Sequence, residues 1–100
     1  MIPILKGGVA ISDATNGACP FSAADRGKVV RYLFARNTTA FDAEWSDDGG
    51  SHWGVWRAAD GPLKLPFQTR KEASAFLFRP YTDGQTITIE GFATESQVIS

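Results

Sequence analysis

Cysteine and histidine each occur once in this chain of 100 residues, and both scarcities exclude something. Cys19 alone rules out an internal disulfide and any cysteine-rich zinc site. His52 alone disfavours a histidine-based metal centre. No excess of either charge is present. Ten Lys and Arg face eleven Asp and Glu, the net charge is −1, and both signs are scattered along the chain. Without a basic stripe, sequence-independent nucleic-acid binding lacks its electrostatic driver, so no nucleic-acid partner is expected. No apolar run approaches the roughly 20 residues needed to span a bilayer, so no membrane partner is expected. Met1 to Gly8 lacks a charged segment followed by an apolar one, so the expectation is a chain made in the cytoplasm without a signal peptide. Neither Gly7-Gly8 nor Gly49-Gly50 sits in a phosphate-loop frame. Repeats, low-complexity tracts and linkers are all missing.

What is present is a core. The hydrophobic share is 43%, with three Trp and seven Phe, enough for one modest globular domain over residues 1–100. Short apolar runs recur between Gly-, Asp- and Asn-rich turns. Ile4 to Ile11, broken by Gly7-Gly8, reads as a bulged or edge strand. Ser12 to Pro20 reads as a loop, and Ser22 to Arg26 as a helical turn with Ser22 as its N-cap. Lys28 to Arg36 reads as a central strand covered on both faces. Leu63, Leu65 and Phe67 alternate with Lys64, Pro66 and Gln68, and Pro66 demotes that strand to an edge. Residues 70–73 favour helix by propensity, yet alternation predicts a strand over about 74–80. Thr86 to Glu90 alternates cleanly; Gly91 then marks a bulge or turn, and Phe92 to Ile99 supplies a last strand. The fold class that follows is all-β, a small antiparallel β-sandwich or barrel.

The most specific segment is Ser46-Asp47-Asp48-Gly49-Gly50-Ser51-His52-Trp53. Two glycines allow positive φ in a turn, and Ser and Asp side chains bond nearby backbone N–H groups. The flanks alternate with period two, which predicts a hairpin at about 40–58 with its tip at Asp47–Gly50. Phe41, Ala43 and Trp45 share one face opposite Asp42, Glu44 and Ser46; Trp53, Val55 and Arg57 share a face opposite Trp56. Trp45 and Trp53 are expected in the core and Trp56 more exposed. Ser46, Asp48, Gly50 and Trp53 match S-x-D-x-G-x-x-W, and the hairpin resembles the Asp-box of sialidases and related β-propeller proteins. The resemblance implies a turn clamped by Asp48 and anchored by Trp53. It implies no sialidase activity, because the box occurs once and such boxes lie away from the catalytic centre.

Candidate chemistry is sparse. His52 beside Asp47 and Asp48 suggests a dyad for a small hydrolase, set against a solvated residue on a hairpin shoulder. Asp42, Glu44, Asp47 and Asp48 suggest a calcium site or a glycosidase pair, set against a wet strand face and a turn clamp. Cys19 has no base near it in sequence and reads as a plain thiol. No catalytic residue, metal or cofactor is expected. The style of the chain resembles small virion proteins of tailed bacteriophages, such as capsid decoration or tail-associated subunits. That reading implies a non-enzymatic protein acting through protein–protein contacts, with copies of itself or a larger virion scaffold as partner, located in the virion. Its interface candidates are Trp56 and Arg57, with Ile2, Ile4 and Leu5 at one end and Val98 and Ile99 at the other, in terminal arms or edge strands spanning 2–11 and 92–100. The alternative is a carbohydrate-binding module that stacks sugars on the hairpin tryptophans.

Overall fold

Alternating apolar residues dominate the strand-forming runs, and in the computed structural model strands take 48% of the chain against 7% helical turn, an all-β protein. Residues 1–4 and 7–95 are described, with the side chains of 67–70 left aside. The elements are β1 (Ile2–Pro3), β2 (Val9–Ile11), β3 (Val29–Asn37), β4 (Ala43–Ser46), β5 (Gly54–Trp56), β6 (Leu63–Glu72), β7 (Leu77–Pro80) and β8 (Ile87–Glu95). Single 3-10 turns occupy Ala58–Asp60 and Ala73–Ala75.

Two antiparallel sheets face each other. In the larger, β8 lies between β3 and an edge shared by β1 and β2, and β6 closes the far side of β3. The smaller runs β5-β4-β7. Leu33 and Ala35 of β3, Ile87, Ile89 and Ala93 of β8, and Ile2 and Ile11 of the edge meet Ala43, Trp56 and Phe78 of the smaller sheet in one apolar core. Phe21 and Phe76 fill the ends of that core, edge to face with ring centroids 6.4 Å apart.

The edges are short or broken. Gly7 and Gly8, both at φ +85°, separate β1 from β2 along that edge, and Ile4 pairs with Phe21. Pro66 lies on an edge strand, as its missing N–H requires. The pairing of β3 with β6 skips from Val30↔Lys71 to Tyr32↔Pro66, so β6 bows away opposite Arg31. β7 is capped by backbone bonds between Ala18 and Phe78 in both directions.

Several sequence expectations change here. Of the two readings for 2–11 the structure has the edge strands, β1 and β2, and not an exposed arm: Ile2 and Ile4 are 0% and 4% exposed, because β8 and Phe21 cover them. Phe92 to Glu95 are not an arm either, since they continue the central strand β8 straight through Gly91. Leu5, Val98 and Ile99 lie outside the described residues. Residues 73–75 form a 3-10 turn, not the start of a strand, because the chain must cross there from the larger sheet to the smaller. The stretch 22–28 makes two successive turns, and the Ser22 hydroxyl donates to the Asp25 carboxylate at 2.9 Å, where a cap would accept from a backbone N–H. Strand β3 is central, but only one of its faces is buried; Tyr32 and Phe34 are half-buried and Arg36 is exposed on the other.

Candidate functional site

The expected hairpin exists as β4 and β5, paired antiparallel at Ala43↔Trp56, Glu44↔Val55 and Trp45↔Gly54, with a wider connection over residues 47–53. Ser46, 2% exposed, donates its hydroxyl to Asp48 Oδ1 at 2.7 Å and accepts the Gly50 N–H at 2.9 Å. Asp48 Oδ1 also accepts the His52 N–H at 3.0 Å, while Oδ2 meets His52 Nδ1 at 2.6 Å. Gly49 and Gly50 have φ of +74° and +97°, which a side chain would oppose. The Trp53 indole N–H closes the loop on the Gly50 carbonyl at 3.0 Å. Asp48 is therefore the centre of the turn.

That order matters chemically. In a Ser-His-Asp triad the histidine stands between the serine and the carboxylate. Here the carboxylate stands between Ser46 and His52, and the serine proton points at Asp48. The His52 side chain is 90% exposed, and among the described residues Asp48 is the carboxylate that orients it. The Ser46 hydroxyl, followed by the His52 ring and its backbone N–H, holds the Asp48 carboxyl far below the usual carboxylate range. An unfolded Asp titrates near ~3.9, so the unfolded chain takes up the proton first. The contribution of the clamp is thus complete above that value and fades as pH falls through it towards the lower folded value. The midpoint of denaturant unfolding should be flat between about pH 5 and 8 and fall below about pH 4. Asp13, held down by the Asn16 and Thr15 N–H groups, Asp25, by Lys28, and Asp42, by the Ala58 N–H, act in the same direction. Asp48→Asn should therefore reduce the acid fall without abolishing it; an unchanged slope would show that the clamp does not contribute.

Strand β4 keeps Ala43 and Trp45 on the core face as expected, but β5 presents its faces in the opposite sense to the sequence expectation. Register places Ala43, Trp45, Trp56 and Phe78 on the inner face, and Glu44, Val55 and Arg79 on the outer. Trp56 is 3% exposed, packs on Phe78 at 5.8 Å and donates its indole N–H to the Gly61 carbonyl at 2.9 Å. It is a core residue and cannot serve as an interface. Trp53 is half-buried on the outside, under the Arg79 guanidinium, 3.8 Å from its ring centroid. Arg79 also donates to Glu44 at 3.0 Å and to the Thr15 carbonyl at 2.6 Å. Arg57 keeps its surface position, bonded to Asp42 at 3.1 Å and lying over the Tyr81 ring at 5.4 Å.

The four acidic residues diverge. Asp42 goes to Arg57, Glu44 to Arg79, Asp47 to Lys71 at 3.7 Å, and Asp48 to its own turn. Each is matched to a cation or to backbone donors, and the four do not converge on one point. Cys19 is half-buried, its thiol pushed up by burial, with Sγ donating to the Ala73 carbonyl at 3.4 Å.

The feature that sequence reasoning missed is the outer face of the larger sheet. Cross-strand partners place Pro3, Phe92, Phe34 and Lys64 in one row across β1, β8, β3 and β6. Phe34 and Phe92 stack with centroids 5.4 Å apart and planes 18° apart. Tyr32 lies one step along the same face, between Thr94 and Pro66. The signal was the alternation of Tyr32, Phe34 and Arg36 against Leu33 and Ala35, hidden because every residue but one in that run is apolar or aromatic. No family model matches the chain, and neither a curated protein nor a solved structure shows significant similarity to it.

Proposed function

We propose that this chain is a non-enzymatic assembly subunit that works through protein–protein contacts, with the outer face of the larger sheet as its contact surface. The observation that carries the reading is the row Pro3–Phe92–Phe34–Lys64, whose two stacked rings are half-buried within the chain's own fold. Aromatic residues are enriched in the cores of protein interfaces, where a partner removes the remaining water from their faces. A net charge of −1 leaves little self-repulsion to oppose a second copy. The non-enzymatic half is supported by the order Ser46–Asp48–His52, which gives the serine no histidine as base. The small all-β fold is in keeping with the resemblance to tailed-bacteriophage virion subunits, and the partner in this reading is a second copy or a larger scaffold. Arg57 over Tyr81 remains as a second exposed contact point.

Light scattering across a concentration series tests this. Wild-type mass should rise with concentration, and Phe34→Thr/Phe92→Thr should stay monomeric with an unchanged β-sheet CD spectrum. Threonine keeps the strand preference while removing the rings. Wild-type protein that is monomeric at every concentration, with tryptophan fluorescence that shifts on adding glycans, would transfer the assignment to carbohydrate binding.

A further inference from the structure

Where residues 57–62 pass over the end of β3 they leave an open-mouthed cavity of about 340 Å³, at the small end of the range for ligand pockets. Its walls are the Phe34 ring, the Trp56 indole, Ala58, Gly61 and Pro62, with Arg36 and Asn37 supplying the polar side chains. Most of the polar atoms there are already committed. The Trp56 N–H goes to Gly61 O, and the Ala58 N–H to Asp42 Oδ1 at 2.9 Å. The Asn37 amide donates to the Phe41 carbonyl at 2.6 Å and accepts from Thr39 N–H and Oγ–H at 3.0 and 2.6 Å. Arg36 differs. Among the described residues its only polar partner is Glu90, 3.5 Å from Nη1, with the two side chains 58% and 37% exposed. An ion pair that open is worth little and yields to a competing anion. A planar guanidinium with unspent N–H groups suits a carboxylate.

The geometry points to a binding site for a ligand that joins one apolar or aromatic body to one carboxylate, the body between Phe34, Trp56 and Pro62 and the carboxylate on Arg36. A saccharide is disfavoured, since its ring of hydroxyls needs several partners and this wall has one unspent donor group. The site shares Phe34 with the proposed assembly face but does not rest on that reading, and the variants that test it leave the Phe34–Phe92 stack in place.

The probe is 3-phenylpropionate, titrated into isotope-labelled protein and followed by amide NMR shifts. Saturable shifts confined to residues 34–37 and 56–62 are expected. Arg36→Met keeps the aliphatic stem and should weaken binding about tenfold, the scale of a charge-assisted hydrogen bond. Glu90→Gln removes the competing carboxylate and should tighten binding about twofold to fivefold. The neutral 3-phenylpropionamide should bind about as weakly to wild type as the acid does to Arg36→Met. Ala58→Leu should fill the cavity and abolish binding while the rest of the spectrum stays native. Equal affinity for acid and amide, shifts scattered over the surface, or undiminished binding to Ala58→Leu would each overturn the assignment. A capped peptide ending in Phe with a free carboxylate separates two sources of the same chemistry. Tenfold tighter binding than the small acid identifies a partner's chain end, and equal or weaker binding identifies a free acid.

Discussion

Gly91→Ala is expected to cost roughly 2–6 kcal/mol, adding backbone strain to overpacking. Gly91 sits mid-strand in β8 at φ +143°, a conformation that side chains rarely adopt. A Cβ there would run into the Phe34 carbonyl oxygen, with the Ala35 Cα only 3.1 Å away. Both obstacles are backbone of β3, so no rotamer change relieves them. The same residue offers its carbonyl to the Ile4 N–H at 3.1 Å, so a shift of β8 also disturbs the β1 edge. Since a domain of this kind has a total stability of about 5–15 kcal/mol, the variant should show a greatly lowered urea midpoint or fail to fold. Gly84→Ala is the control. Its Cβ meets no atom within 4 Å, and its φ of +85° leaves conformational strain as the sole cost. Equal losses for the two variants would refute the steric account.

Trp56→Ala is expected to destabilise by about 3–5 kcal/mol, the cost of emptying a large aromatic site in a packed core. The indole packs on Phe78 and its N–H satisfies the Gly61 carbonyl, so truncation opens a cavity and strands an acceptor. Trp56→Phe should retain most of the packing and lose chiefly the hydrogen bond, about 1 kcal/mol. Trp53→Ala should cost less than Trp56→Ala, because Trp53 is only half-buried and stacks against a single guanidinium. Equilibrium unfolding of the three variants decides the order, and a larger loss for Trp53→Ala would reverse the assignment of the two faces.

The tryptophan assignments show where sequence reasoning reached its limit. Period two is a local property, and it located β4, β5 and the alternating core of β8 from residues 43–46, 54–56 and 87–90 alone. Which phase faces inward is decided by the opposite sheet, and no single strand carries that information. Trp53 read as the buried tryptophan of this arm because the turn motif uses it as its anchor, and odd spacing then sent Trp56 outward. Trp53, however, belongs to the loop, where its ring is free of strand phase and folds outward onto Arg79. Pro66 was legible as an edge because a missing N–H is a property of one residue. The Phe34–Phe92 stack was not, since it joins residues far apart in sequence through a β3–β8 register that nothing local encodes. The turn at 46–53 was legible because its donors and acceptors lie within a few residues of one another.

The order of strands in the larger sheet also constrains when the domain can form. β8 occupies the interior of that sheet, yet β1, β2 and β3, which all pair with it, precede it along the chain. A nascent chain halted before residue 87 holds three partners for a strand that has not yet been synthesised. Until β8 emerges from the ribosome, one edge of β3 has no paired strand, and neither do the first two strands. Contacts of such long sequence separation close slowly. The elongating polypeptide thus leaves the apolar Ile2 and Ile11 without their pairing strand throughout that interval, which makes the pace of translation a factor in whether this domain folds or aggregates.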